Sequence, residues 1–310
     1  MKSFVSKQLV VVLVIALAVV LSVLRPSSFL TSTNIINVLV QVSCYGIVAY
    51  AMTFAIICGE FDLSVSSTFA MCTILFVDMG TKINIPAAIL ICLVFGLGVG
   101  ALNGFLVSKM KMNAFIVTLA TMMAVNGMGM TYTSGKSIAI SNDIVYAIGN
   151  GRLFGVPYMV YIFFAVLVIA QIILRKTKFG RNLYATGGNV NVARTAAINV
   201  GFYKFIIFVI LGVMSAFAAI LYASRLGSGS ALYASDLALY CVAATVIGGT
   251  KLSGGSGNAV RTLAGVLVMG LLFNGLSLLG IEANLQNIVK GGIIILVVAM
   301  DAYTAMKKER

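Results

Sequence analysis

The stretch Arg175 to Lys204, RKTKFGRNLYATGGNVNVARTAAINVGFYK, is the one long polar interruption in a chain that is otherwise almost continuously apolar. It carries six basic residues, Arg175, Lys176, Lys178, Arg181, Arg194 and Lys204, and no acid. A basic loop between two apolar spans stays on the cytoplasmic side of a membrane, so this loop sets how the rest of the chain is threaded. Within it, Gly187 and Gly188 are expected to break the chain ahead of Asn189, an amide able to accept from the free backbone N–H groups of a helix start. A short helix is expected from about Val190 to Ile198, with Val192, Ala196 and Ile198 forming a small apolar surface beside Arg194. Composition leaves two readings of that helix: a surface that seats on another protein, or an orientation signal lying on lipid headgroups.

The rest of the composition fixes the class. Hydrophobic residues make up 61% of the 310 and charged residues 9%, with mean hydropathy +1.08, against about 45–50% and about 25% in soluble domains. The chain therefore reads as an all-α polytopic membrane protein. At roughly 20 residues per span it has room for about ten transmembrane helices in one domain covering residues 1–310. The net charge of +13, from 21 basic and 8 acidic residues, is scattered between apolar segments, whereas a nucleic-acid reader needs a clustered basic face. All five cysteines lie in apolar segments without metal or redox spacing. With no histidine and dispersed acids, no zinc site is expected.

Apolar runs place spans at Leu9 to Leu24, Ile35 to Cys58, Val65 to Met79, Ile85 to Val107, Asn113 to Thr133, Val156 to Leu174, Phe205 to Ala223, Leu237 to Ile247, Ala259 to Leu279 and Leu285 to Ala302. With ten spans, 15 basic residues fall on the side of the N-terminus and 5 on the other, Lys290 lying within the last span. That split puts both termini in the cytoplasm. Val65 to Met79 and Leu237 to Ile247 are short, and losing one of them would spoil the charge pattern.

Several motifs carry more than hydropathy. In GEFDLSVSS (Gly59 to Ser67) two acids, Glu60 and Asp62, join two apolar spans. A carboxylate at the bilayer centre costs at least about 2.5–3.5 kcal/mol, so these must be capped, paired or wet. Asp62 and Ser64 are read as helix-capping acceptors, in a turn near the transport pathway or its cytoplasmic mouth. Gly96, Gly100 and Gly104 recur every four residues, the small-residue pattern that lets membrane helices approach closely; no βαβ unit supports a dinucleotide reading of the same letters. Polar residues within apolar spans, Asn103, Thr118, Asn126 and Asn274 among them, need partners in lipid and are read either as glue between helices or, with Asp62 and Ser64, as lining a route for a hydroxyl-rich solute. Gly135-Lys136-Ser137 lacks the upstream glycine of a phosphate loop, Met130 standing there, so no nucleotide site is expected.

The central loop, GEFDLSVSS, LNGFLVSKMKMNAFIVTLATM (Leu102 to Met122) and VIGGTKLSGGSGN (Val246 to Asn258) together, in this order, resemble the permease subunits of bacterial ABC sugar importers of the ribose type. The resemblance covers nearly the whole chain. It implies a multi-pass protein of the bacterial plasma (inner) membrane with no catalytic residue and no cofactor. Implied partners are two ATPase subunits, a second permease copy or close paralogue, and an extracytoplasmic solute-binding protein. It also makes the helix after Gly-Gly-Asn the coupling helix that docks on an ATPase subunit, with Gly188, Asn189, Val192, Ala193, Arg194, Ala196 and Ala197 as the contact residues. One departure stands out: that family usually reads GGxDLSVGS, whereas Glu60 and Ser66 replace glycines here. Other solutes (a nucleoside, an autoinducer or an amino acid) and a secondary transporter without an ATPase are the alternatives.

Overall fold

The computed structural model describes residues 2–309. Met1 and Arg310 lie outside it, as do the side chains of residues 2–9, 283, 300–302 and 304–309. The chain is helical throughout: α1 (Lys2–Leu24), α2 (Pro26–Phe29), α3 (Ser32–Ile57), α4 (Val65–Lys82), α5 (Ile85–Ser108), α6 (Ala114–Thr133), α7 (Asp143–Asn150), α8 (Tyr158–Lys176), α9 (Lys178–Gly188), α10 (Val190–Thr195), α11 (Val200–Leu226), α12 (Leu237–Ile247), α13 (Ala259–Leu278) and α14 (Ala283–Glu309). Two pairs of two-residue antiparallel strands join Ile138–Ala139 to Ser228–Gly229 and Arg152–Leu153 to Val156–Pro157. By length and composition α3, α5, α6, α8, α11 and α13 can each cross a membrane, and Val10–Leu24, Leu237–Ile247 and Asn284–Ala299 are shorter apolar helical stretches. This is an all-α polytopic membrane protein.

Asparagine starts six of these fourteen helices. Asn84, Asn113, Asn142, Asn189, Asn199 and Asn258 each accept one or two backbone N–H groups from the first turn that follows. At each of these bends a short amide satisfies part of the helix N-terminus that follows it. The cap at Asn199 also explains why α11 begins at Val200 rather than Phe205: its side chain accepts from Phe202 N–H at 3.1 Å. Similarly α4 runs past Met79 to Lys82, where Lys82 pairs with Asp78 one turn back at 2.9 Å.

The helix α3 is the axis of the molecule. Its sequence is apolar on every face, as a helix surrounded by others must be, and it is buried almost continuously from Val42 to Ile57. It packs against α8, α11, α12 and α13. Thr53 on α3 shares a 2.8 Å hydrogen bond with the hydroxyl of Thr262 on α13, and Gly265 lets α13 approach α12 so closely that a Cβ there would sit 1.9 Å from the Ala244 carbonyl oxygen. On the far side of α11 lie α5 and then α4.

The glycines of α5 face α11. A Cβ added at Gly96, Gly100 or Gly104 would meet the carbonyl oxygens of Gly212, Phe208 and Phe205 at 2.4, 2.3 and 2.7 Å. The three lie one turn apart, so the two backbones run in contact along half the helix. Because backbone cannot move aside as a side chain can, Gly100→Leu should destabilise the protein by about 1–3 kcal/mol through overpacking. Gly98, which has open space beside it, serves as the control: Gly98→Ala should leave stability unchanged or slightly raised. Thermal unfolding of purified protein in detergent checks both, and an unshifted melting temperature for Gly100→Leu would contradict the close approach.

Candidate functional site

The turn between α3 and α4 holds a chain of polar contacts. Asp62, 1% exposed, accepts through Oδ1 from the Ser64 backbone N–H at 2.7 Å and from the Ser64 hydroxyl at 2.6 Å. The Asn103 amide on α5 donates to Ser64 Oγ at 2.9 Å, and Thr121 on α6 donates to Asn103 Oδ1 at 2.7 Å. One carboxylate thus begins a chain of bonds that ties the start of α4 to α5 and α6. The geometry corrects the capping expectation: Ser64, not Asp62, occupies the N-cap position and makes no side-chain cap bond, while Asp62 closes a tight turn on Ser64 before the helix begins. Burial pushes the Asp62 carboxyl up to about 6, against the pull of its bonds from Ser64.

Of the other polar candidates, Thr118 is buried and donates to the Ala114 carbonyl of its own helix at 2.8 Å. Asn274 exchanges two hydrogen bonds with Asn34 of α3, at 2.8 and 3.2 Å. Both are helix-to-backbone or helix-to-helix contacts apart from the Asp62 chain. Asn126 instead lines a cavity of about 180 Å³ with Ser66, Ser67, Tyr233 and Ser235. At its wall the short helix α12 starts: its Ala238 N–H donates to Ser66 Oγ at 2.9 Å, because Asp236 at the N-cap position makes no cap bond of its own. Asp236 pairs with Lys290 of α14 at 2.7 Å. Ser66 of GEFDLSVSS therefore caps a helix distant in sequence. Sequence reasoning missed this, and the only available signal was the departure at this position from the usual GGxDLSVGS.

The central loop differs from its expected form. Gly187 and Gly188 do not break the chain but close the helix α9, which spans Lys178–Gly188. Their smallness serves contact: a Cβ at Gly187 would sit 1.8 Å from the Ile57 carbonyl oxygen, and Gly254 and Gly255, both at positive φ, press against Gly187 and Gly188. The same Ile57 oxygen accepts from Gly255 N–H at 2.8 Å, and the Tyr184 hydroxyl of α9 donates to the Gly257 carbonyl at 2.9 Å. The VIGGTKLSGGSGN stretch thus packs its glycine backbone onto the end of α3 and the end of α9 at once.

After α9 the expected helix is present but shorter. Asn189 Oδ1 accepts from Asn191 and Val192 N–H at 3.0 and 3.1 Å, and α10 ends at Thr195 rather than Ile198. Ala197, at φ +58°, turns the chain left-handed, and Ile198 N–H bonds back to the Ala193 carbonyl. Val192 is 62% exposed and Arg194, Ala196 and Ala197 are exposed too, whereas Ala193 is 1% exposed. Ala193 faces inward and so is not available as a contact residue; it seats the helix on its own protein. Beneath α10 a cleft of about 370 Å³ opens between Lys111, Asn113, Arg194 and the ion pair of Lys204 with Glu60. That pair fastens α11 to the Asp62 turn.

A family model described as branched-chain amino acid transport system / permease component matches residues 34–298, from α3 into α14. The chain belongs to this permease family. The permease is 36% identical over 305 residues to the ribose import permease protein RbsC of Escherichia coli (strain K12), covering 97% of this chain and 95% of that one. It is 39% identical to the ribose import permease protein RbsC of Bacillus subtilis (strain 168), with 92% and 89% covered, and 37% identical to the L-arabinose transport system permease protein AraH of Escherichia coli (strain K12), with 91% and 86% covered. No solved structure matches it. As a permease component it is a transport subunit rather than an enzyme.

The Asp62 chain sets up two separable effects. An asparagine at 62 keeps the acceptor that Ser64 needs, whereas Asp62→Ala removes it and should cost roughly 0.5–2 kcal/mol. Because the folded carboxyl holds its proton to higher pH than an unfolded one, its contribution to stability is largest below about 4 and is lost as pH rises toward about 6. Melting curves from pH 4 to pH 7 should therefore fall more for the parent than for Asp62→Asn. Uptake by the Asn variant should stay within a few-fold of the parent at equal membrane level; a well-inserted but inactive Asn variant would make the charge itself necessary.

Proposed function

We propose that this permease is the membrane-spanning subunit of an ATP-driven importer in a bacterial plasma (inner) membrane, and that it carries a monosaccharide or similar hydroxyl-rich solute by alternating access. The observation that carries this reading is the near end-to-end likeness to ribose and L-arabinose permeases. In this reading ten spans, α4 and α12 among them, leave both termini and the central loop in the cytoplasm, which the basic residues favour 15 to 5. Its partners are two ATPase subunits, a second permease copy or close paralogue, and an extracytoplasmic solute-binding protein.

The mechanism follows from what α10 stands on. ATP-driven closure of the ATPase pair presses on the exposed Val192, Arg194, Ala196 and Ala197, next to the Gly188-Asn189 bend. The push passes through α9 to the Ile57 carbonyl, and through Lys204 and Glu60 to the turn at Asp62, which holds α4, α5 and α6. A solute then meets the Ser66, Ser67, Asn126, Tyr233 and Ser235 cavity, whose hydroxyls and amide can pair with sugar hydroxyls at the starts of α4 and α12, the kind of broken-helix site transporters use. ATP and solute must bind the two packings with different affinity, since a ligand without such a difference moves nothing.

Arg194→Glu should abolish solute uptake by the assembled transporter, and replacing Ala196 and Ala197 with leucine should do the same, with membrane insertion of the permease retained. Co-purification of the ATPase subunits and uptake of radiolabelled pentoses and hexoses into vesicles are the readouts. Full uptake and undiminished ATPase co-purification in these variants would remove α10 from the coupling role.

A further inference from the structure

The outer side of α8 is apolar, with Val168, Ile169 and Ile172 each more than half exposed. Beside that face a cavity of about 410 Å³ opens between α3, α8, α9 and α11, lined almost wholly by carbon from Phe54, Ile169, Ile173, Phe179 and Met214. Its lining ends at Thr177 and Phe179, and these alternate in sequence with Arg175, Lys176 and Lys178, all exposed. Among the described residues none of these three cations takes part in an ion pair. An apolar slot deep enough for a chain, with three unneutralised cations at one end, matches one class of molecule present throughout a bilayer.

We propose that this cavity is a binding site for an anionic phospholipid, with an acyl chain in the slot and the phosphate at Arg175, Lys176 and Lys178. Charge complementarity selects it: a zwitterionic lipid fills the slot equally well but gains nothing net from the cations, and a second copy of this chain presents the same positive charge in its own loop. Basic clusters where helices meet the cytoplasmic leaflet attract anionic headgroups. The site is separate from the solute cavity and from α10, and it stands whether or not the transported solute is a sugar. A bound lipid would brace α8 and α9, the element on which α10 is mounted.

The chain has no tryptophan, so a single introduced one reports on its surroundings without interference. The full-length Ile169→Trp permease, reconstituted in vesicles, is titrated with dibrominated phosphatidylglycerol or dibrominated phosphatidylcholine, whose chain-borne bromines quench indole on contact. Half-quenching should require on the order of tenfold less of the anionic lipid, since each nearby cation strengthens its attraction severalfold. Val168→Trp, outside the slot, should show no such preference. In an Ile169→Trp chain also carrying Arg175→Ala, Lys176→Ala and Lys178→Ala, the preference should fall to near unity. Equal quenching by the two lipids, a preference that survives the triple alanine change, or a tryptophan quenched by neither lipid because protein covers it would each overturn the proposal.

Discussion

One backbone oxygen, that of Ile57, is the point on which the ends of α3 and α9 and the glycine-rich stretch before α13 are assembled. It ends the buried axial helix α3, accepts from Gly255 at 2.8 Å and lies where any side chain at Gly187 would have to be. Three segments far apart in sequence therefore meet without side chains between them. A junction of backbone against backbone has little freedom to slide, because packed protein is close to crystal density and does not deform smoothly. On the proposed reading this stiffness lets a six-residue helix, α10, act on the transmembrane body: the rigidity lies not in α10 but in what α9 is pressed against.

The same economy governs the polar residues. In lipid an unpaired amide or hydroxyl has no water to fall back on, and many buried polar side chains in the spans make a defined bond, although the hydroxyls of Tyr50, Thr68 and Ser224 make none. Asn103 links Ser64 to Thr121, Asn274 links α13 to α3, and Ser66 supplies the cap that α12 lacks. Around Asn126, whose amide donates to the Ala231 carbonyl at 3.1 Å, several such groups also border an open space. That difference, more than polarity itself, separates glue from a place where a solute can be held.

Much of this was legible in the sequence. Hydropathy placed the apolar helices to within a few residues, and the glycine period on α5 identified the face that meets α11. The bend at Asn189 and the helix after it followed from local capping chemistry. What escaped were features fixed by the identity of a particular distant partner. Gly187 and Gly188 looked like a chain break because glycine so often is one; nothing local says that the Ile57 carbonyl lies against them. Residue spacing allows Asp62 as an N-cap, and nothing local says that the Ser64 hydroxyl, which donates to Asp62, also accepts from Asn103, 39 positions on. Ala193 was grouped with its neighbours as a docking residue, although a short helix resting on protein must bury one of its faces.

On the proposed mechanism the Ile57 junction carries motion between the loop helix and the transmembrane body. The direct measurement is ATP hydrolysis and solute uptake, side by side, for the reconstituted transporter with Gly187→Ala. The added methyl has to force the Ile57 carbonyl and α9 apart, so the complex should assemble and hydrolyse ATP while uptake per ATP falls sharply. Uptake that keeps its full ratio to hydrolysis would mean that the junction is a packing detail, and that force reaches the spans by another route.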